Sequence, residues 1–170
     1  MATILIPIDI ASAIPASTNG AQHKVVDGTN FPVRSLAFDG GSTDEAVYFN
    51  LGKLPSYGSG NLTLSIDWYA DTATSGNVVW GAALAAITAN TDTQDVETKA
   101  FATANTQQDS HLGTTGQRLH SVDLVISNLD SLAVDDDVWL HFYRDASDTT
   151  NDTMAGDALV TALRLSYSDT

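Results

Sequence analysis

LTLSIDWY, residues 62–69, alternates strictly: Leu62, Leu64, Ile66 and Trp68 fall on one face, and Thr63, Ser65, Asp67 and Tyr69 on the other. A period of two belongs to an extended strand with one face buried and the other in water. The pattern returns downstream. In VWLHFYR, residues 138–144, Val138, Leu140 and Phe142 oppose Trp139, His141 and Tyr143. LHSVDLVIS (119–127) sets Val122, Leu124 and Ile126 on one face. LVTALRLSY (159–167) puts Leu159, Thr161, Leu163, Leu165 and Tyr167 inward and Val160, Ala162, Arg164 and Ser166 outward. Upstream, FPVRSLAF (31–38) and EAVYFNL (45–51) flank the turn Asp39-Gly40-Gly41. VVWGAALAAIT (78–88) is apolar throughout, and its β-branched, aromatic start and Gly81 favour a strand buried on both faces, or bulged, over a helix.

One more strand is expected at Val96–Ala104, inside the polar stretch Ala89–Gly116. That makes about eight strands from FPVRSLAF onward with no helix-length segment between them. The pattern predicts an all-β fold, an antiparallel β-sandwich of the jelly-roll kind, over residues 31–170. Residues 1–30 form a lead-in of different character. Pro7 and Pro15 deny ATILIPIDIASAIPAS a helix, so it is an edge strand or an extended N-terminal arm. Two readings stay open: a strand packed on its own domain, or an arm added to a neighbour's sheet. Under the second, Ile4, Leu5, Ile6 and Ile8 are the assembly interface.

The chain has 170 residues, with 7 basic and 21 acidic side chains, so its net charge of −14 and its length suit one acidic domain. Seven scattered cations cannot neutralise a phosphate backbone, which argues against nucleic-acid binding. The absence of cysteine removes disulfides, thiolate metal sites and cysteine nucleophiles together. No apolar run approaches the roughly 18–20 residues of a membrane span, and the first residues lack the basic start of a secretion signal. A soluble protein, off the membrane and not obviously exported, is expected.

Motifs for chemistry are sparse. Asp135-Asp136-Asp137, with Asp145, Asp148, Asn151, Asp152 and Asp157 after it, supplies oxygens of the kind calcium takes. The spacing does not follow the helix-loop-helix calcium signature, and these are also the residues of turns. His23, His111, His120 and His141 stand alone in sequence, and only His120 and His141 fall on strands that look like neighbours. A zinc site needs three or four converging ligands, so structural or surface histidines are the expectation. No G-x-S-x-G elbow, paired glycosidase carboxylates or phosphate loop appears, and neither an enzyme nor a cofactor is implied. Trp68, Trp80 and Trp139 are of a kind that stacks on sugars, but two of them sit inside alternating strands and core or interface packing is the expectation. Tyr48, Tyr57 and Tyr69 are the candidates for an exposed receptor or glycan contact.

Two stretches, LAFDGGSTDEAVYFN through VVWGAALAAI (36–87) and DDDVWLHFYRDASDTTNDTMAGDALVTALRLSYSD (135–169), resemble the small jelly-roll virion proteins of tailed bacteriophages. The FDG turn, VVWG, and the FYRDASDT and AGDA segments carry the likeness. It implies a non-enzymatic structural protein of the virion, a capsid decoration or cement subunit. It also implies a homo-oligomer, with a trimer favoured, and contacts to the major capsid protein or to tail proteins. A tail or fibre-tip domain touching a host receptor through residues 56–61 and 145–156 is the nearest alternative. A carbohydrate-binding β-sandwich module, using Trp or Tyr on one sheet face, is the alternative of a different class.

Overall fold

The alternating stretch becomes strand β6 (Leu62–Ala70), whose Leu62, Leu64, Ile66 and Trp68 are fully buried while the intervening residues are half-buried. It lies in one of two facing antiparallel sheets in a computed structural model that describes residues 2–91, 95–113 and 115–169. The other strands are β1 (Thr3–Ile8), β2 (Ile14–Pro15), β3 (Gln22–Asp27), β4 (Pro32–Phe38), β5 (Glu45–Lys53), β7 (Asn77–Ile87), β8 (Asn105–Ser110), β9 (His120–Ile126), β10 (Asp137–Arg144) and β11 (Ala158–Ser168). A six-stranded sheet runs β3-β4-β11-β6-β9, with β1 also on β11. A five-stranded sheet runs β2-β5-β10-β7-β8. The fold is an all-β antiparallel sandwich.

Eight of the eleven strands among the described residues, β4 to β11, lie in the stretch that the turn spacing divides into eight. The other three come from the lead-in, which does not extend away as an arm. β1 pairs antiparallel with β11, from Thr3 opposite Ser168 to Ile8 opposite Leu163. β4 occupies the same edge of β11 only from Ala158 to Val160, so β1 fills the rest of it. Ile8 is buried, Ile4 and Ile6 pack against the core, and Leu5 points outward, 58% exposed. The isoleucines are therefore sheltered within the chain's own sandwich, because an unpaired edge of β11 lies within reach.

Two other expectations are corrected. The strand placed at Val96–Ala104 is turn and irregular backbone, and β8 begins at Asn105. Polar, short and at the edge of its sheet, β8 shows no alternation of burial that a pattern search would detect. In β11 the register against β6 slips between Val160 and Ala162. This bulge brings Ala158 and Val160 into the core ahead of it and Leu163, Leu165 and Tyr167 after it. Strict alternation had placed Val160 outside; one extra residue exchanges the faces.

Between the sheets, Phe38, Trp68, Trp80 and Phe142 form an aromatic centre, with Phe38 edge-on to both Trp80 and Phe142 at 5.4 Å. The aspartate-rich loop after β10 is organised from inside. Arg144, wholly buried, donates to both carboxylate oxygens of Asp152 and to the carbonyls of Phe38, Met154 and Gly156. Asp152 also accepts the Val79 N–H at 3.0 Å. The triple aspartate is turn chemistry as well: Asp136 accepts from Thr88 and Ala133, and Asp137 from Trp139.

Candidate functional site

The core-facing side of β10 is filled by Val138, Leu140 and Phe142, so Trp139, His141 and Tyr143 must stand on the outer face of the five-stranded sheet. Tyr48 of β5 lies directly opposite His141. The rings of Tyr48 and His141 are 5.0 Å apart at 18°, and those of His141 and Tyr143 5.0 Å apart at 17°. At that separation and angle, rings lie face against face with an offset. The row therefore spends its faces on itself and offers edges.

The neighbouring strand β7 supplies the floor. Its outward positions Gly81, Ala83 and Ala85 are small and buried. A side chain at Gly81 would overlap the ring of Tyr143, which lies across this glycine. Along the second half of β7 the edge is bonded by loop backbone and a carboxylate: Ala102 N–H donates to the Leu84 carbonyl, and Ala86 N–H to Asp130. Asp130 also holds Lys99 at 3.0 Å, pinning the loop. Phe101 then reaches over the sheet to within 5.8 Å of Tyr48 and 5.5 Å of His141, ring centre to ring centre.

These elements enclose a cleft of about 370 Å³. Ile14, Ala85, Ile87 and Val96 give it aliphatic walls, Tyr48, Phe101 and Trp139 aromatic ones, and Glu97 and Lys99 its charges. Trp139 makes none of the described ring contacts, and its indole N–H is directed by Asp137 at 3.2 Å. Burial pushes the His141 imidazole below its ordinary range, only partly opposed by Asp44. Burial likewise pushes the Tyr143 phenol up, so both rings of the row are neutral near pH 7.

The structure separates the three tyrosines. Tyr48 lines the cleft; Tyr57 is buried in the core, with its hydroxyl donating to the Gly60 carbonyl at 2.9 Å; Tyr69 is on β6, in the other sheet. Trp139, which the sequence favours as a packing residue, lines the cleft instead. Its signal was present, since Trp139, His141 and Tyr143 occupy one face at i, i+2, i+4, yet alternation alone does not tell a packed face from a covered-and-open one. His120 and His141 are not neighbours: β9 and β10 belong to different sheets. His120 is inside, stacked on Trp68 at 4.3 Å and 5.0 Å from His111.

No known sequence family matches this chain, and no curated protein sequence is similar to it. Solved structures do match. A carbohydrate-binding module specific for non-crystalline cellulose, CBM28, superposes with a TM-score of 0.54 at 11% identity, over 91% of this chain and 87% of its own. The family 11 carbohydrate-binding module from Clostridium thermocellum, solved with a β-1,3-1,4-mixed-linked tetrasaccharide, gives 0.50 at 11% identity, over 95% and 94%. A C. thermocellum structure of endo-1,4-β-D-xylanase 10B with its CBM22-1 module, complexed with xylohexaose, gives 0.51 at 9% identity. There the match covers 95% of this chain and 27% of that one. This protein shares its sandwich fold with these structures.

These matches overturn the likeness to phage virion proteins. With it go the capsid-decoration and tail roles, the trimer, the capsid and tail partners and the virion location. The residues that carried the likeness are packing features: FDG ends β4, VVWG is the buried first part of β7, and FYRDASDT surrounds Arg144. A sandwich of any lineage has use for them, so they mark architecture more than descent.

Proposed function

We propose that this protein is a carbohydrate-binding module, without catalysis of its own, that takes a glycan into the cleft on the outer face of the five-stranded sheet. The observation that carries the reading is Trp139, a tryptophan at the wall of a preformed cleft with no aromatic neighbour on its ring among the described residues and its indole N–H already directed by Asp137. An indole face matches the apolar C–H face of a sugar ring, and a sugar stacked there is held without any charge. The shared fold of a cellulose-specific module and of a module solved with a mixed-linked tetrasaccharide supports the reading. A jelly roll is the finer form of the fold that goes with it: β4-β11-β6-β9 facing β5-β10-β7-β8 is the order of two interlocked Greek keys. An extracellular site of action suits a polymeric ligand.

Affinity electrophoresis through gels containing a soluble cellulose derivative, mixed-linkage glucan or xylan tests the proposal. The protein is expected to be retarded by at least one polymer, and Trp139→Ala to run as in a plain gel with an unchanged melting temperature. Free migration in all three, together with an empty glycan array, overturns it, as does full retardation of Trp139→Ala.

A further inference from the structure

The cleft is poor in groups that can meet hydroxyls. Of its polar linings, the Lys99 ammonium is bound to Asp130 at 3.0 Å and the Trp139 indole N–H to Asp137 at 3.2 Å. Only the Tyr48 hydroxyl and the Glu97 carboxylate line it without a hydrogen-bond partner among the described residues. The opposing surfaces are Ile14, Ala85, Ile87, Val96 and Phe101. A bare sugar surrounded by hydroxyls would lose water against these walls and regain few hydrogen bonds, which is unfavourable for each hydroxyl left unpaired.

Charge narrows the ligand further. Among the described residues, the cleft's one cation, Lys99, is already neutralised, Glu97 presents a carboxylate without a partner, and the whole molecule carries −14. An acidic sugar meets repulsion from near and far.

Resting on the carbohydrate reading above, we propose that the cleft selects a neutral sugar bearing a small apolar substituent, an O-acetyl group, over its unsubstituted or acidic counterparts. The sugar ring stacks on Trp139, Tyr48 and Glu97 take its hydroxyls, and the acetyl methyl lies against the aliphatic wall that includes Ile87 and Val96.

The test is calorimetric titration with xylo- and cello-oligosaccharides, each partially O-acetylated and after complete deacetylation, beside an oligosaccharide carrying glucuronic acid. The acetylated form of at least one backbone is expected to bind tighter by roughly 10–200-fold, the discrimination one buried methyl gives in a hydrophobic pocket. Val96→Ser, at a site 62% exposed where the fold tolerates change, should bring the two forms within about threefold. Ile87→Thr is a second variant on the same wall. Equal affinities, tighter binding of the deacetylated form, or preference for the acidic sugar overturn the inference. If Trp139→Ala then abolishes that binding, the carbohydrate reading survives; binding to none of the sugars overturns the inference, and overturns both if the polymer gels also fail to retard the protein and the glycan array is empty.

Discussion

The guanidinium of Arg144 donates to the two carboxylate oxygens of Asp152 at 2.9 and 2.7 Å, with side-chain exposures of 0% and 3%. A loop rich in aspartate, which composition presents as a solvated or cation-binding segment, is thus fastened by one buried ion pair. Arg144 also satisfies three carbonyls, and Asp152 the N–H of Val79. Removing one partner strands the other away from water. Arg144→Met and Asp152→Asn should each lower stability by about 3–5 kcal/mol in urea unfolding, the usual cost of an uncompensated buried charge or its polar partners. The double variant should fall well short of the sum, since the second change removes a group already stranded.

Gly81 and Tyr143 make a second linked pair. Because a Cβ at position 81 would overlap the Tyr143 ring, Gly81→Ala must displace that ring from the stacked row. A loss of about 1–3 kcal/mol is expected from the overpacking. Adding Tyr143→Leu should recover most of it, measured by thermal unfolding.

Stability should fall on mild acidification. His120 and His141 are both held below the ordinary imidazole range by burial, against partial opposition from Asp109 and Asp44 respectively. Such a group binds its proton more readily in the unfolded chain. Its contribution is intact above the unfolded value of about 6.5 and is lost as pH falls toward the lower folded value. Denaturant midpoints should therefore drop between pH 7 and pH 5. His120→Gln or His141→Gln should each flatten that drop. Asp145, Asp157 and Glu45, raised by burial, act with the opposite sign at lower pH and limit the loss there.

The two faces of β1 should respond differently. Ile8→Ala removes a buried side chain and is expected to destabilise by about 2–4 kcal/mol. Leu5→Ser, on the exposed face, should stay within about 0.5 kcal/mol. Chemical unfolding of the two variants side by side checks this.

Much of the sandwich was legible in the chain. The faces of β6, β9 and β10 follow directly from alternation, because one side of each packs on the core and a pleated strand repeats every two residues. The same regularity made β11 misleading, since its bulge obeys contacts with β6 and leaves no local mark. β8, polar and at the edge of its sheet, carried no mark either. The cleft was half legible: Trp139, His141 and Tyr143 share a face in the sequence, while Phe101, Lys99 and Ile14 reach it from distant segments.

The sequence by itself determined that this chain builds β-strands around an apolar core, which residues of most strands turn inward, and that the surface is acidic and free of thiols. Those properties are local or additive. Only the tertiary structure decided where the front isoleucines find cover, which histidines meet, that Arg144 and Asp152 join inside, and that an indole is left open beside a loop crossing the outer sheet. Some of these contacts join distant segments and others, such as Arg144 with Asp152, close the ends of one loop; all are set by how whole sheets pack, which no short-range pattern encodes.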